Sequence, residues 1–115
     1  MNLIEYQAVI ALSNIPDRPG IAADLFETLS TGGVNVDLII QATHQVNKND
    51  ITFTINIDEL DNACLQCREL IKSIGGEIST QTNMTKLSIS GAGIMGRAGI
   101  ASSLFETLSN AGINI

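Results

Sequence analysis

The chain is poor in aromatic residues, with one Tyr, three Phe and no Trp, 3% of its length. A hydrophobic core must therefore be built from Ile, Leu, Val and Ala. Basic residues are also scarce. Six Lys and Arg stand against twelve Asp and Glu, for a formal charge of −6 and a pI near 4.4. Such a surface repels phosphate backbones and anionic lipid headgroups, which argues against nucleic-acid and membrane partners. No apolar run approaches the roughly 18 residues of a spanning helix. Met1 is followed by Glu5 and by no nearby Lys or Arg, so the start does not read as a signal peptide, and the expected location is cytoplasmic. Two cysteines make no disulfide framework. One histidine assembles no Ser-His-Asp triad, and no Walker loop or carboxylate cluster for phosphoryl transfer is present. The chain carries no catalytic residues and no cofactor of its own in this reading.

What the sequence has in quantity is apolar side chains, 44% of 115 residues at a mean hydropathy of +0.24. That is enough buried surface to offset the entropy of ordering one domain or a domain and a fragment. An internal repeat organises it. Gly20-Ile-Ala-Ala-Asp-Leu-Phe-Glu-Thr-Leu-Ser-Thr-Gly-Gly-Val-Asn-Val36 recurs as Gly99-Ile-Ala-Ser-Ser-Leu-Phe-Glu-Thr-Leu-Ser-Asn-Ala-Gly-Ile-Asn-Ile115. The same offset aligns Ile10 with Ile89, Ile15 with Ile94 and Arg18 with Arg97. Two copies of a strand-loop-helix unit are present, and the second stops as its next strand should begin. The chain is expected to be a piece of something longer, with a first domain over 1–82 and a truncated second over 83–115.

Periodicity orders the rest. Gln7 to Asn14 is mostly apolar, a strand expected to be covered on both faces. Gly20 to Ser30 puts Ile21, Ala22, Leu25, Phe26 and Leu29 on one helical stripe, ended by Gly32-Gly33. Val34 to Thr43 reads as a strand, followed by a polar turn at Asn47-Lys48-Asn49-Asp50. Ile51, Phe53, Ile55 and Ile57 alternate with polar residues, as in a strand with one buried face. Asp58 is expected to cap a helix with Leu60, Ala63, Cys64, Cys67, Leu70, Ile71 and Ile74 on its stripe. Gly75-Gly76 stops that helix, Glu77 to Thr82 forms a fourth strand, and Thr85 to Ser90 opens the second copy. The fold class is α+β: a β-α-β-β-α-β ferredoxin-like unit, an antiparallel sheet with helices on one face.

Three constellations invite chemistry. Gly91-Ala92-Gly93-Ile94-Met95-Gly96 matches a dinucleotide fingerprint, but the equivalent first-copy loop lacks these glycines and too few residues follow to supply a ribose-binding acid. Cys64 and Cys67 have the spacing of a redox or metal pair, yet both lie on an apolar helical stripe, as buried cysteines do, and His44 is far along the chain at a strand end. The loop Asp17-Arg18-Pro19-Gly20 is the informative one. It precedes a helix whose N-terminal N–H groups suit a carboxylate, and Asp17 suits an ammonium, the two points a zwitterion requires. Asn35 can add amide contacts. The same four residues also read as a plain tight turn.

These residues resemble a known family. The strand, Asp17-Arg18-Pro19-Gly20-Ile21-Ala22, the helix with Leu25-Phe26, and Val34-Asn35-Val36-Asp37 resemble an ACT domain, the small-molecule-sensing module of amino-acid metabolism. Val36-Asp37-Leu38-Ile39-Ile40-Gln41, Ile51-Thr52-Phe53-Thr54-Ile55, Lys86-Leu87-Ser88-Ile89-Ser90-Gly91-Ala92-Gly93-Ile94-Met95 and Ala111-Gly112-Ile113-Asn114-Ile115 are together similar to the regulatory region of aspartate kinases. The resemblance implies an intact enzyme that phosphorylates the side-chain carboxylate of L-aspartate with MgATP, at the head of lysine, threonine and methionine synthesis. It implies that this chain supplies the regulatory part, partnered with a kinase catalytic domain and homodimeric through ACT–ACT pairing. Lysine and/or threonine would bind between ACT units, with Asp17, Pro19, Gly20, Ile21, Ala22 and Gln41 on one wall. Asn35, Val36 and Asp37 would contribute similarly, with Asn114, Ile115, Gly93 and Met95 as the second copy's counterpart. The second copy departs from this pattern, with Gly96 in place of Asp17 and Ala98 in place of Pro19, so the two loops are expected to be unequal. Two other readings remain: a stand-alone amino-acid-sensing ACT protein, and a cysteine-based redox or metal protein.

Overall fold

Even-numbered residues of the first strand set the core. In the computed structural model, which describes residues 2–45, 48–89 and 98–115 and the side chains of 5–42, 48–88 and 98–115, β1 spans Asn2–Pro16. Ala8, Ile10 and Leu12 are fully buried on its helix-covered face, while Val9 and Ala11 on the other face are only half-buried. The expectation of a strand covered on both faces holds only in part: on the odd-numbered face Gln7 is buried, but Val9 and Ala11 are half open. Beyond Leu12 the parity changes. Leu12 pairs with Ile51 and Ile15 with Asn49, so β1 spends one more residue than its neighbour, and Asn14 takes a φ of 56°. This bulge returns Ile15 to the buried face and re-aims the loop that follows.

Helix α1 (Ile21–Thr31) buries Ile21, Leu25 and Leu29 and leaves the sheet through a left-handed turn, with Gly33 at φ 85° and the Val34 N–H donating to the Leu29 carbonyl at 2.9 Å. The repeat copies this at the level of atoms. Helix α3 (Ile100–Asn110) ends with Gly112 at φ 77° and Ile113 N–H on the Leu108 carbonyl, also 2.9 Å. Strand β2 (Val36–Gln45) pairs antiparallel with β3 (Lys48–Asn56), which pairs antiparallel with β1; with β4 (Glu77–Ile89) the sheet order is β2-β3-β1-β4. Residues 48–50, expected as turn, begin β3, because their backbone groups complete ladders to both neighbours; Asn47 lies outside the described residues. Asn49, Ile51, Phe53 and Ile55 then face the core in strict alternation.

A single 3-10 turn, Ile57–Glu59, leads into α2 (Leu60–Ile74). The capping side chain is Asn56, whose Oδ1 accepts from the Asp58 N–H at 2.9 Å, and not Asp58 as the sequence suggested. The extra turn moves the first open N–H groups toward Asn56. Ala63, Cys64 and Cys67 are buried against β1, β3 and α1, with Leu60, Leu70, Ile71 and Ile74 packed around them. Strand β4 (Glu77–Ile89) is continuous where two strands were expected, since no Gly or Pro interrupts Gln81-Thr82-Asn83-Met84. The ferredoxin-like class is as expected. The chain divides into two compact units, Ile4–Lys86 and a smaller one of Met1–Leu3 with Leu87–Ile115. Within the smaller unit α3 buries none of its residues; Leu104 and Leu108 are half-buried and Phe105 is 52% exposed.

Candidate functional site

The bulged end of β1 delivers the chain to α1 through Asp17-Arg18-Pro19-Gly20, and a cavity of about 210 Å³ opens there. Its walls are Ile15 to Ala22, Gln41 of β2, and Asn49 and Ile51 of β3. Such a volume lies below the roughly 300 Å³ at which drug-sized ligands begin to fit, and it suits a molecule of amino-acid size. Gly20 has a φ of 94°, a conformation that a side chain rarely tolerates, and it stands at the N-terminus of α1 with no side-chain cap. The first-turn N–H groups of a helix lack intrahelical acceptors, so this end presents partial positive charge to the cavity. Arg18 lines the same space. Asp17 supplies the opposite sign, and its Oδ1 accepts from Asn49 Nδ2 at 2.8 Å. The cavity therefore offers an acceptor for an ammonium, the Asp17 carboxylate, and, apart from it, N–H donors for a carboxylate at the start of α1.

Asp17, Pro19, Gly20, Ile21, Ala22 and Gln41 all line this cavity. Asn35, Val36 and Asp37 do not. Asn35 precedes β2 and Val36 and Asp37 begin it, where Val36 pairs with Ile55 near the far end of β3 from Asn49. There the Asn35 N–H donates to Glu59 Oε2 at 3.1 Å, and Asp37 Oδ2 meets Lys86 Nζ at 2.6 Å. That hydrogen bond holds the Lys86 ammonium above its ordinary pKa. Asn114 and Ile115 are exposed in the smaller unit, and Gly93 and Met95, with the rest of the glycine-rich loop, lie outside the described residues. Asn49 was missed by sequence reasoning. It carried a signal all the same, since it shares the parity of Ile51, Phe53 and Ile55 and so belongs on the buried face.

The cysteine pair reads differently. Cys64 and Cys67 are free thiols at 6% and 0% exposure. Burial pushes the Cys64 thiol up against the opposing pull of Arg68, with Asp61 adding to the rise. Cys67 is pushed up to about 12 by burial and then by Cys64. Thiolates are the nucleophiles and metal ligands, so both groups are inert near neutrality. Among the described residues no cluster of three or more His, Cys, Asp or Glu is placed to hold a metal, and no helix is long and apolar enough to cross a membrane. His44 falls at the end of β2, its side chain outside those described. Because the folded pKa of Cys67 lies above its unfolded value near 9, the native state keeps a proton the unfolded chain loses. That stabilisation is complete below about pH 9 and is lost as the pH climbs toward 12. The urea midpoint is expected to fall between about pH 9 and 11, and to fall less in Cys67→Ala. Parallel slopes would contradict the assignment.

The ferredoxin-like βαββαβ unit carries its cavity at the strand-to-helix loop, and the comparisons define the class further. The ACT-domain sequence profile matches residues 10–69 and 87–115. The ligand-free regulatory subunit of aspartate kinase from Thermus thermophilus superposes with a TM-score of 0.86 at 31% identity, covering 99% of this chain and 76% of that one. Aspartate kinase from Synechocystis superposes at 0.83 with 37% identity, covering 99% and 21%. An aspartate kinase of Pseudomonas fluorescens is 36% identical over 110 residues, 95% of this chain and 27% of that protein. The chain belongs to the ACT-domain family, within the regulatory regions of aspartate kinases. It spans about a quarter of the length of the curated relatives it matches.

Proposed function

We propose that the chain is an effector-binding regulatory region that takes lysine and/or threonine and controls an aspartate kinase catalytic domain. The observation that carries this is the cavity in which the Asp17 carboxylate stands beside the uncapped N-terminus of α1. A zwitterionic amino acid satisfies both charges at once, and a simple carboxylate or amine satisfies only one. MgATP and the phosphorylation of aspartate belong to the catalytic domain; this chain contributes no reacting group. The effector acts by binding one arrangement of ACT pairs better than another, so the shift it causes is limited by that difference in affinity. Pairing of two chains in a cytoplasmic homodimer is favoured by the sheet edge at β2, where Leu38, Ile39 and Ile40 are all more than half exposed. Residues at the start of the second strand, Asn35 to Asp37 and Asn114-Ile115, would then close cavities across ACT–ACT contacts.

The test is calorimetric titration of the chain with L-lysine, L-threonine, both together, and L-methionine. Heat from lysine or threonine is the expected result, and heat only from the pair would indicate coupled cavities. Binding of methionine alone, or of none, would overturn the assignment. A stand-alone sensor with no kinase attached is the second reading, and the coding sequence upstream of Met1 separates the two.

A further inference from the structure

Among the described residues Asn49 is one of two buried polar side chains, at 7% exposure, and it is the one in the cavity. It sits on β3 between two neighbours, paired with Ile15 of β1 and Thr43 of β2, so its backbone is fixed from both sides. Asp17, by contrast, is an exposed side chain on a connecting loop. The adjacent residue completes a clamp, for Asp50 Oδ1 accepts from the Asn14 N–H at 3.1 Å and pins the bulge where the loop begins. Asn49 holds the first residue of the loop, three positions further on, through the 2.8 Å bond to Asp17.

We propose that Asn49 is a positioning residue of the effector cavity, one that holds the Asp17 carboxylate where an incoming ammonium must meet it; this rests on the amino-acid-binding reading above. The chemistry of the donor matters. A carboxylate accepts about four hydrogen bonds, so one from Asn49 orients it and leaves capacity for an ammonium. A neutral amide orients without cancelling charge, whereas Lys or Arg at position 49 would compete with the ligand. Holding a short loop side chain in its productive rotamer before binding lowers the ordering cost of binding.

A double-mutant cycle tests this, with L-lysine and L-threonine as probes of the full chain carrying Asn49→Ala, Asp17→Ala or both. Asn49→Ala is expected to weaken binding about tenfold, and to add less than about twofold once Asp17 is already Ala. A residue that merely supports the fold would weaken binding by the same factor in both backgrounds. A double variant clearly weaker than Asp17→Ala, including one with no measurable binding, overturns the positioning role and leaves the proposed function intact. Loss of all binding in the unmutated chain overturns the proposed function and this inference with it. Should Asn49→Ala fail to fold, Asn49→Ser keeps a short donor and is carried through the same cycle, with the same criterion.

Discussion

Phe53→Ala is expected to destabilise the chain by about 3–5 kcal/mol, the range for deleting a buried aromatic ring. Phe53 is 1% exposed at the middle of β3, one of the two strands with a neighbour on each side. Its ring meets Phe26 of α1 edge to face, 5.7 Å between centroids at 80°. The chain has four aromatic residues in all, so no other ring stands ready to fill the gap. The surrounding Ile, Leu and Val side chains are branched and held by the ladder, which limits how far they collapse into the void. Against a typical total of about 5–15 kcal/mol, the loss is a large share of the stability. Urea unfolding followed by circular dichroism measures it. A change below about 1 kcal/mol would mean that the core relaxes around position 53 and that the ring pair contributes little.

Much of this arrangement is legible in the sequence because the deciding interactions are local or periodic. The apolar stripe of α1, the alternation of β3 and the repeat of Gly20–Val36 in Gly99–Ile115 each follow from spacing alone. The Asp17 loop stands out from its position between a strand and a helix, and it lines the cavity. Three features escaped, two of them, the bulge and the Asn49 contact, because they depend on what lies across from the segment and not within it, and the third, the cap, because a local turn shifts it by two residues. The bulge at Asn14 exists because Asp50 of β3 accepts its N–H, and only the bulge brings Ile15 inward. The cap at Asn56 replaces Asp58 because a 3-10 turn is inserted ahead of α2. The role of Asn49 depends on a contact 32 residues back along the chain. Asn35, Val36 and Asp37 pose the converse case, as their motif is plain in the sequence while the cavity in the same unit lies elsewhere.

Asp17→Ala is expected to weaken effector binding by about 1.5–3 kcal/mol, roughly tenfold to more than a hundredfold, with a smaller loss of stability, about 1 kcal/mol, from the broken bond to Asn49. The two effects separate because Asp17 is exposed on a loop when the cavity is empty, and becomes a desolvated charge-assisted partner only when an ammonium covers it. Asp17→Asn should lose nearly as much, since the amide keeps the shape and discards the charge. The second copy makes the comparison internal to the molecule. Its loop carries Gly96 at the equivalent position, so substitutions there have no carboxylate to remove. Gly96→Ala is accordingly expected to change affinity far less than Asp17→Ala. Calorimetry on both variants decides the matter. Equal losses at the two loops would mean that the effector is held by backbone and shape in both copies, and that the negative charge at Asp17 serves the loop and not the ligand.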